Sequence, residues 1–536
     1  GRLAQSVRHN AHDSGVSWRS TRAAWDAEQP NRQVAVIDLG SNSWRLVVFT
    51  YAPHSWWKRT DELYETVRIG AGLGATGRLA DDAIQRGLET LGVFARFCAA
   101  NEIDTGEVHA VATSAIRDAD NGREFVRAAE RATGLKIEVL PSEEEARFGY
   151  IAAVNTSTIT DGAVLEIGGG SMQLIEVADR RAKALTSFQL GAVRITEEFL
   201  PGGAPAKKKD LNRVRDHVRE TLAELPWLAD SGGCLVGIGG AVRNLASAAL
   251  HEHDEIDIGV QGFVITRKGL ADLVSTLASL PPSERGDVPG IKPGRGDIIL
   301  ASALTIETVL EIGDFAGIEV TEASLRDGVF LARELLAGEE PLFDDVRAAA
   351  VRNLAIQYES DLAHVAHVAE LALEMFDSLV DGGQFKPKDG ERELLWAAGM
   401  LHDVGMTISY DDHHKHSYYL IISAELPGFD PRERALIAQM CRYHRKGTPK
   451  LGEIASLADA GDEELLERCA VILRLAEHLE RGRDQSVSAA ELRGNGDGVD
   501  LHLKAAGDLT LPRWSVERYG DGEIFERVFG RRLLIG

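Results

Sequence analysis

The sequence predicts an α/β protein with two similar halves, followed by an all-helical stretch and a small β-rich end. Three observations carry this. Two glycine-rich hairpins occur, over residues 34–49 and 163–175, each an apolar strand with an acid near its end, a turn of small residues, and a second apolar strand. Strand and helix patterns alternate behind each hairpin as far as residue 337. From Phe343 to about 485 the apolar residues recur at helical three- and four-residue spacing.

In the first half, the hairpin at 34–48 is followed by an alternating strand over 62–69. Residues 81–100 space Ile84, Leu88, Leu91, Phe94 and Phe97 as a helix. A strand at 108–113, a helix at 122–131 and a strand at 137–140 lead to Pro141. Ser142 with Glu145 three residues on predicts a capping box at the next helix start. The second half restarts with the hairpin at 163–177, then a helix at 210–224 and a strand at 234–238. Helices at 267–279 and 296–312, a strand at 319–324 and a helix at 326–335 complete it. Gly338-Glu339-Glu340-Pro341 reads as a linker. Helices are expected at 362–375, 394–401 and 465–479, and short alternating stretches such as 499–503 resume after 485. The expected organisation is a disordered leader over 1–31, lobes over 32–157 and 158–337, a helical domain over 341–485, and a small α+β end domain over 486–536.

At 536 residues the chain needs several cores. With 44% hydrophobic and 26% charged residues it reads as soluble and globular, and no apolar run approaches the length of a membrane span. The leader has no apolar h-region, so it is not a secretory signal. Cys98, Cys234, Cys441 and Cys469 are scattered without metal spacing, which fits a reducing compartment and a cytoplasmic location. The net charge of −24 argues against nucleic-acid binding, DNA included. A polyanion would have to be held by local basic patches. The run 207–209 (three lysines) reads as solvated surface; the cluster Arg442, Arg445 and Lys446 is the stronger candidate.

The two hairpins carry the chemistry. Gly40, Ser41, Asn42 and Ser43 form one turn, and Gly168, Gly169, Gly170 and Ser171 the other. Glycine lets backbone N–H groups converge on one spot and leaves room for close approach. Each turn is then a phosphate cradle with a carboxylate beside it, Asp38 in one and Glu166 in the other. The duplication suggests two halves closing on one phosphorylated ligand.

With these hairpins go Thr113-Ser114-Ala115-Ile116-Arg117, Glu144-Glu145-Ala146-Arg147 and Gly237-Ile238-Gly239-Gly240. Together they resemble the exopolyphosphatase / guanosine pentaphosphate phosphohydrolase family of the actin–sugar kinase–Hsp70 superfamily. The helical part, with His364, His402-Asp403-Val404-Gly405 and His413-His414-Lys415-His416, resembles an HD-type domain. The resemblance implies two ribonuclease-H-like lobes with the active site in the cleft between them. It implies Mg²⁺- or Mn²⁺-dependent release of terminal phosphate from inorganic polyphosphate, or of the 5′ γ-phosphate from guanosine pentaphosphate, with guanosine tetraphosphate as a related ligand, in a homodimer. It makes Glu145 the general base, Arg117 the phosphate clamp, Asp38 and Glu166 the metal-side acids, and Gly239 and Gly240 a further phosphate turn.

The chain departs from the family pattern at Glu166 (usually Asp), at Met172 and Gln173 (usually Thr-Glu) and at Ala241 (usually Thr). These departures keep open a third reading, a catalytically weak polyphosphate or alarmone sensor. In the HD-like part His364, His402, Asp403 and Glu477 fall on the metal positions, with His413, His414, His416 and His444 as further ligands. The alternative role there is polyanion binding by Lys415, Arg442, Arg445 and Lys446.

Overall fold

The computed structural model describes residues 31–231, 233–251, 258–496, 498–520 and 522–535. The expected leader, apart from Asn31, lies outside the described residues. The described residues form two compact units, one within 31–251 and 260–346, the other within 258–259 and 347–535.

The first unit contains two sheets of matching topology. In one, β1 (Arg32–Leu39), β2 (Trp44–Ala52), β3 (Trp56–Glu65), β4 (Val108–Ala112) and β5 (Ile137–Val139) lie in the order β3-β2-β1-β4-β5. The first three are antiparallel, and β1, β4 and β5 run parallel. The second sheet uses β6 (Gly162–Ile167), β7 (Met172–Ala178), β8 (Arg181–Phe188), β9 (Cys234–Ile238), β10 (Val264–Thr266) and β11 (Gly317–Val320). Its order β10-β11-β9-β6-β7-β8 repeats the first arrangement with one extra edge strand. The duplication seen in the hairpins therefore extends to whole sheets. The third strand of the first lobe is β3, not the expected 62–69. The connection after β2 is short, Ala52 pairs with Trp56, and the strand is spent by Glu65.

Three apolar clusters fill this unit. One lies within each lobe, and a third joins Val36 and Phe49 of the first sheet to Val164 and Ile175 of the second. The joining cluster holds Phe148 and Ile151 of the helix Ser142–Val154 and Val329 and Phe330 of the helix Leu325–Phe330. Phe330 stacks on Phe49 with centroids 4.1 Å apart. The two helices are pressed together at Gly328, where a Cβ would lie 1.9 Å from the Phe148 carbonyl oxygen.

The second unit is built from the helices Leu362–Asp381, Glu391–Leu401, His413–Ile422, Pro431–Tyr443 and Asp462–Leu479. It ends in a three-stranded sheet, β12 (Val487–Gly494), β13 (Gly498–Ala505) and β14 (Arg532–Ile535). The helices Thr510–Tyr519 and Gly522–Phe529 precede β14, so the end segment is α+β. It is not a separate body: Ala490 N donates to Glu374 Oε2 at 3.0 Å and Leu492 N to Ser378 Oγ at 2.9 Å, tying β12 to the helix Leu362–Asp381. Among the described residues no helix is long and apolar enough to cross a membrane.

Candidate active site

The two turns follow β1 and β6, and their strands share one register. Asp38 is paired with Arg45 across β1 and β2, and Glu166 with Gln173 across β6 and β7. The acids thus occupy equivalent places, as the duplicated motif predicts. Both turns line one cleft, together with Asp38, Thr113, Ser114, Glu145, Glu166, Gly239 and Gly240. The carbonyls of Ser41 and Asn42 face away and accept from Gly70 N and Arg68 N. Asn42 Nδ2 is a buried donor without a hydrogen-bond partner, a cost that a bound anion would remove.

Glu145 lies in the first turn of the helix Ser142–Val154, with its N–H donating to Pro141 O at 3.0 Å. The predicted capping box does not form, because Pro141 and not Ser142 holds the N-cap position. The Glu145 carboxylate turns inward instead. Arg117 Nη1 donates to its Oε2 at 2.7 Å and Ser171 Oγ to its Oε1 at 3.3 Å. Ser171 is itself fixed by Gln173 Nε2, which donates to it at 3.0 Å and to Ser187 Oγ at 3.2 Å. Burial raises the Glu145 carboxyl above the ordinary range despite Arg117.

Three carboxylates therefore crowd the cleft, Glu145 buried and Asp38 and Glu166 half-buried. Glu166 is pushed up to about 8 by burial and by its neighbours Glu145 and Asp38. Its Oε2 is buried with no hydrogen-bond partner. Gly149 makes room for it, since a Cβ there would lie 2.7 Å from Glu166 Oε2. Burial likewise raises Asp38, opposed by Arg326, whose Nη1 donates to Asp38 Oδ2 at 2.8 Å. Carboxylate oxygens gathered at one place, one of them orphaned, fit a hard divalent cation.

The expected clamp, Arg117, is engaged inside the protein. It donates to Glu145 and to Leu140 O at 2.9 Å, and it is not among the side chains that line the cleft. The arginines that do line it are Arg45, Arg243, Arg295 and Arg326. Sequence reading missed all four. Arg45 alone left a signal, two residues beyond Ser43 on the second strand of the hairpin and so on the turn's face of the sheet. Gly240 leaves space for Arg295, whose Nη2 would be 2.4 Å from a Cβ there. Arg243 Nη1 donates to the backbone oxygen of Glu322, and burial lowers the group to about 10.

In the second unit the predicted His364, His402, Asp403 and Glu477 come together in the interior, with His413 and His444 beside them. In the basic cluster Lys415 and Lys446 are exposed, Arg442 and Arg445 are half-buried, and all four are already partnered. Lys415 and Lys446 both reach Asp412, at 2.8 and 3.0 Å, while Arg442 lies over the Tyr418 ring and Arg445 over that of Tyr410. Lys207, Lys208 and Lys209 lie exposed at a helix start.

Residues 47–337 match the model of the Ppx/GppA phosphatase family, and residues 346–511 match the model of Ppx/GppA phosphatase domain III. The chain belongs to the Ppx/GppA phosphatase family. As a Ppx/GppA phosphatase it is a phosphoanhydride hydrolase. It is 29% identical over 476 residues to a guanosine-5′-triphosphate,3′-diphosphate pyrophosphatase of Vibrio vulnificus, covering 88% of this chain and 92% of that protein. A protein of the same name from Aliivibrio fischeri is 28% identical, covering 90% and 95%. An exopolyphosphatase-like protein of solved structure is 26% identical with a TM-score of 0.51, covering 56% of this chain and 98% of that one. The crystal structure of an exopolyphosphatase from Cytophaga hutchinsonii shares the fold, with a TM-score of 0.53 at 22% identity, covering 56% and 97%.

Proposed function

We propose that this phosphatase is an exopolyphosphatase, hydrolysing the terminal phosphoanhydride of inorganic polyphosphate in the cleft between the two lobes. The observation that carries the reading is Glu145. Its carboxylate is buried, held by Arg117 and Ser171, and placed in a cleft lined by two phosphate turns and four arginines. Phosphoryl transfer asks little covalent chemistry of a protein and much positioning and charge stabilisation. Glu145 orients a water and takes its proton, and the raised carboxyl pKa makes it a better acceptor. Backbone N–H groups of the two turns and the Asn42 amide hold the terminal phosphate. Arg45, Arg243, Arg295 and Arg326 balance charge on the phosphates behind it. Arg117 acts by fixing Glu145. Asp38 and Glu166 would hold Mg²⁺ or Mn²⁺, which when bound neutralises charge on the phosphates and the leaving oxygen.

A second reading, 5′-phosphate removal from guanosine pentaphosphate, is favoured by the names of relatives matched along nearly their whole length. Both substrates end in the same phosphoanhydride. The deciding experiment compares kcat/KM for phosphate release from long-chain polyphosphate and from guanosine pentaphosphate, with Mg²⁺, with Mn²⁺ and with chelator. A higher value for polyphosphate is expected. The reverse order installs the second reading, and release from neither leaves a binding protein.

A further inference from the structure

Arg117, the cation that fixes Glu145, is itself held from behind. It is the penultimate residue of the short helix Ser114–Asp118, and Asp118 ends that helix. Nη1 of Arg117 is committed to Glu145 Oε2 at 2.7 Å and to Leu140 O at 2.9 Å. Another nitrogen of the same guanidinium, Nε, lies 3.4 Å from Asp118 Oδ1. The second oxygen of Asp118, Oδ2, lies 3.7 Å from Nη2 of Arg194. Arg194 belongs to the helix Ala192–Phe199 of the second lobe, and its Nη1 donates to Gln189 Oε1 at 3.2 Å. The Asp118 carboxylate therefore bridges two guanidinium groups, one from each lobe.

A carboxylate at the C-terminal end of a helix faces the partial negative charge of unpaired carbonyls, and here two cations offset it. Ion pairs open to solvent add little to stability, so the value of this bridge lies in its geometry. A guanidinium is a planar fork. Contacts at one nitrogen leave the plane free to swing about that nitrogen, and a contact at a second nitrogen fixes it. Asp118 supplies the second contact for Arg117. Neither Asp118 nor Arg194 is among the side chains that line the cleft, so neither reaches the reacting phosphate.

The helix of Arg194 meets the first lobe again three residues on, where Gly72 N donates to Glu197 Oε1 at 3.2 Å. Ser171, also of the second lobe, donates directly to Glu145.

We propose that Asp118 and Arg194 are positioning residues for the hydrolysis, resting on Glu145 as its base: Arg194 of the second lobe braces Asp118, Asp118 fixes the plane of Arg117, and Arg117 aims the Glu145 carboxylate. The base then takes its orientation from both lobes, through Ser171 on one side and through this chain of charges on the other. A reacting group displaced by about 1 Å loses on the order of 10²-fold in rate, so a brace two contacts away is felt in turnover.

The test measures phosphate release by the full chain, from polyphosphate and in parallel from guanosine pentaphosphate. Asp118→Asn and Arg194→Gln should each lower kcat about 3–10-fold and leave KM within about twofold. Asp118→Glu and Arg194→Lys, which keep the charges, should recover most of the loss. The double variant Asp118→Asn with Arg194→Gln should be no slower than Asp118→Asn, because Arg194 acts only through Asp118. In a Glu145→Gln background Asp118→Asn should cost nothing further. Thermal unfolding of each variant shows that it is folded at the assay temperature, and the charge-keeping variants separate a lost brace from a lost fold. Unchanged kcat in both single variants overturns the proposal. A change confined to KM places the pair in substrate binding and overturns it too, as does a full further loss in the Glu145→Gln background. Wild-type turnover in Glu145→Gln alone removes the base, and this inference falls with it; that result is read before any Asp118 or Arg194 variant is made.

Discussion

Glu145 is held by one cation and one hydroxyl, and both can be tested through it. Glu145→Gln keeps the shape but cannot take a proton, so turnover should fall about 10²–10⁴-fold while substrate binding stays within a few-fold. Equal losses in binding and turnover would make Glu145 a structural residue. The base works only when ionised, and burial lifts its pKa above the ordinary 4.5 against the pull of Arg117. Activity should therefore be lost, as pH falls, at a higher pH than an exposed glutamate would give. Arg117→Met removes the opposing charge, and the acid limb of the kcat/KM profile should move further up in pH; an unmoved limb would refute the contact. Gln173→Glu adds a carboxylate beside the metal-side acids but cannot donate to Ser171. Half-maximal turnover should then need less Mg²⁺, while kcat drops because the Ser171 hydroxyl is drawn from Glu145. At this scale the acids and both turns were legible in the sequence, since each sits in a local motif. Of the four cleft arginines only Arg45, within the hairpin, left a local signal. They arrive from separate elements, Arg295 from the single 3₁₀ turn Pro293–Arg295 before the helix Ile299–Ile312, and only the fold brings them together. The Ser142–Glu145 capping pattern misled because a tertiary contact claimed the carboxylate that the local motif would have used.

Among the elements, the helices Ser142–Val154 and Leu325–Phe330 matter most to the site, one carrying Glu145 and the other Arg326. Their closeness depends on Gly328 lying against the Phe148 backbone. Gly328→Ala meets backbone that cannot swing aside, and thermal unfolding should show a loss of about 1–3 kcal/mol. Activity should fall with it, because Arg326 on one helix is displaced relative to Glu145 on the other. Wild-type stability in this variant would show that the helices can part freely. Some elements were readable to the residue. The helix Asp81–Ala100 opens on two acids and keeps one apolar face, and Arg267–Ser279 is capped by the Thr266 hydroxyl, which accepts from Gly269 N. The helix Thr510–Tyr519 was missed. Its proline, Pro512, reads as a breaker in sequence but sits in the first turn, where no intrahelical N–H bond is lost.

On the scale of the whole molecule, the net charge of −24 sets a repulsive field for a polyanion, and the arginines of the cleft oppose it only locally. The basic cluster of the helical unit would add a second point of attraction. Exchanging Arg445 and Lys446 together for Glu should raise KM for long polyphosphate and leave a short oligophosphate nearly unchanged. On the exopolyphosphatase reading the wild type should prefer long chains, and that preference should shrink as salt rises, because charges open to solvent are screened. Equal responses from both substrates would show that the cluster takes no part. The overall plan of two α/β halves and a helical unit was legible because duplication and periodicity are long-range patterns. The joining of the end segment to the helical unit was not, since the bonds from Ala490 and Leu492 to Glu374 and Ser378 leave no trace in hydropathy.

The matched hairpins carry one last consequence. Asp38 faces Arg45, whereas Glu166, at the same place in the other copy, faces the uncharged Gln173. The acid of one hairpin has a cation as its cross-strand neighbour and the acid of the other does not. Symmetry of the scaffold, broken in this way, becomes polarity: a cation settles toward Glu166 and an anion toward Arg45. On the exopolyphosphatase reading, a phosphate chain, whose two ends are chemically alike, would then be met from a single side, and the direction of its entry would be written into the walls and not into the substrate.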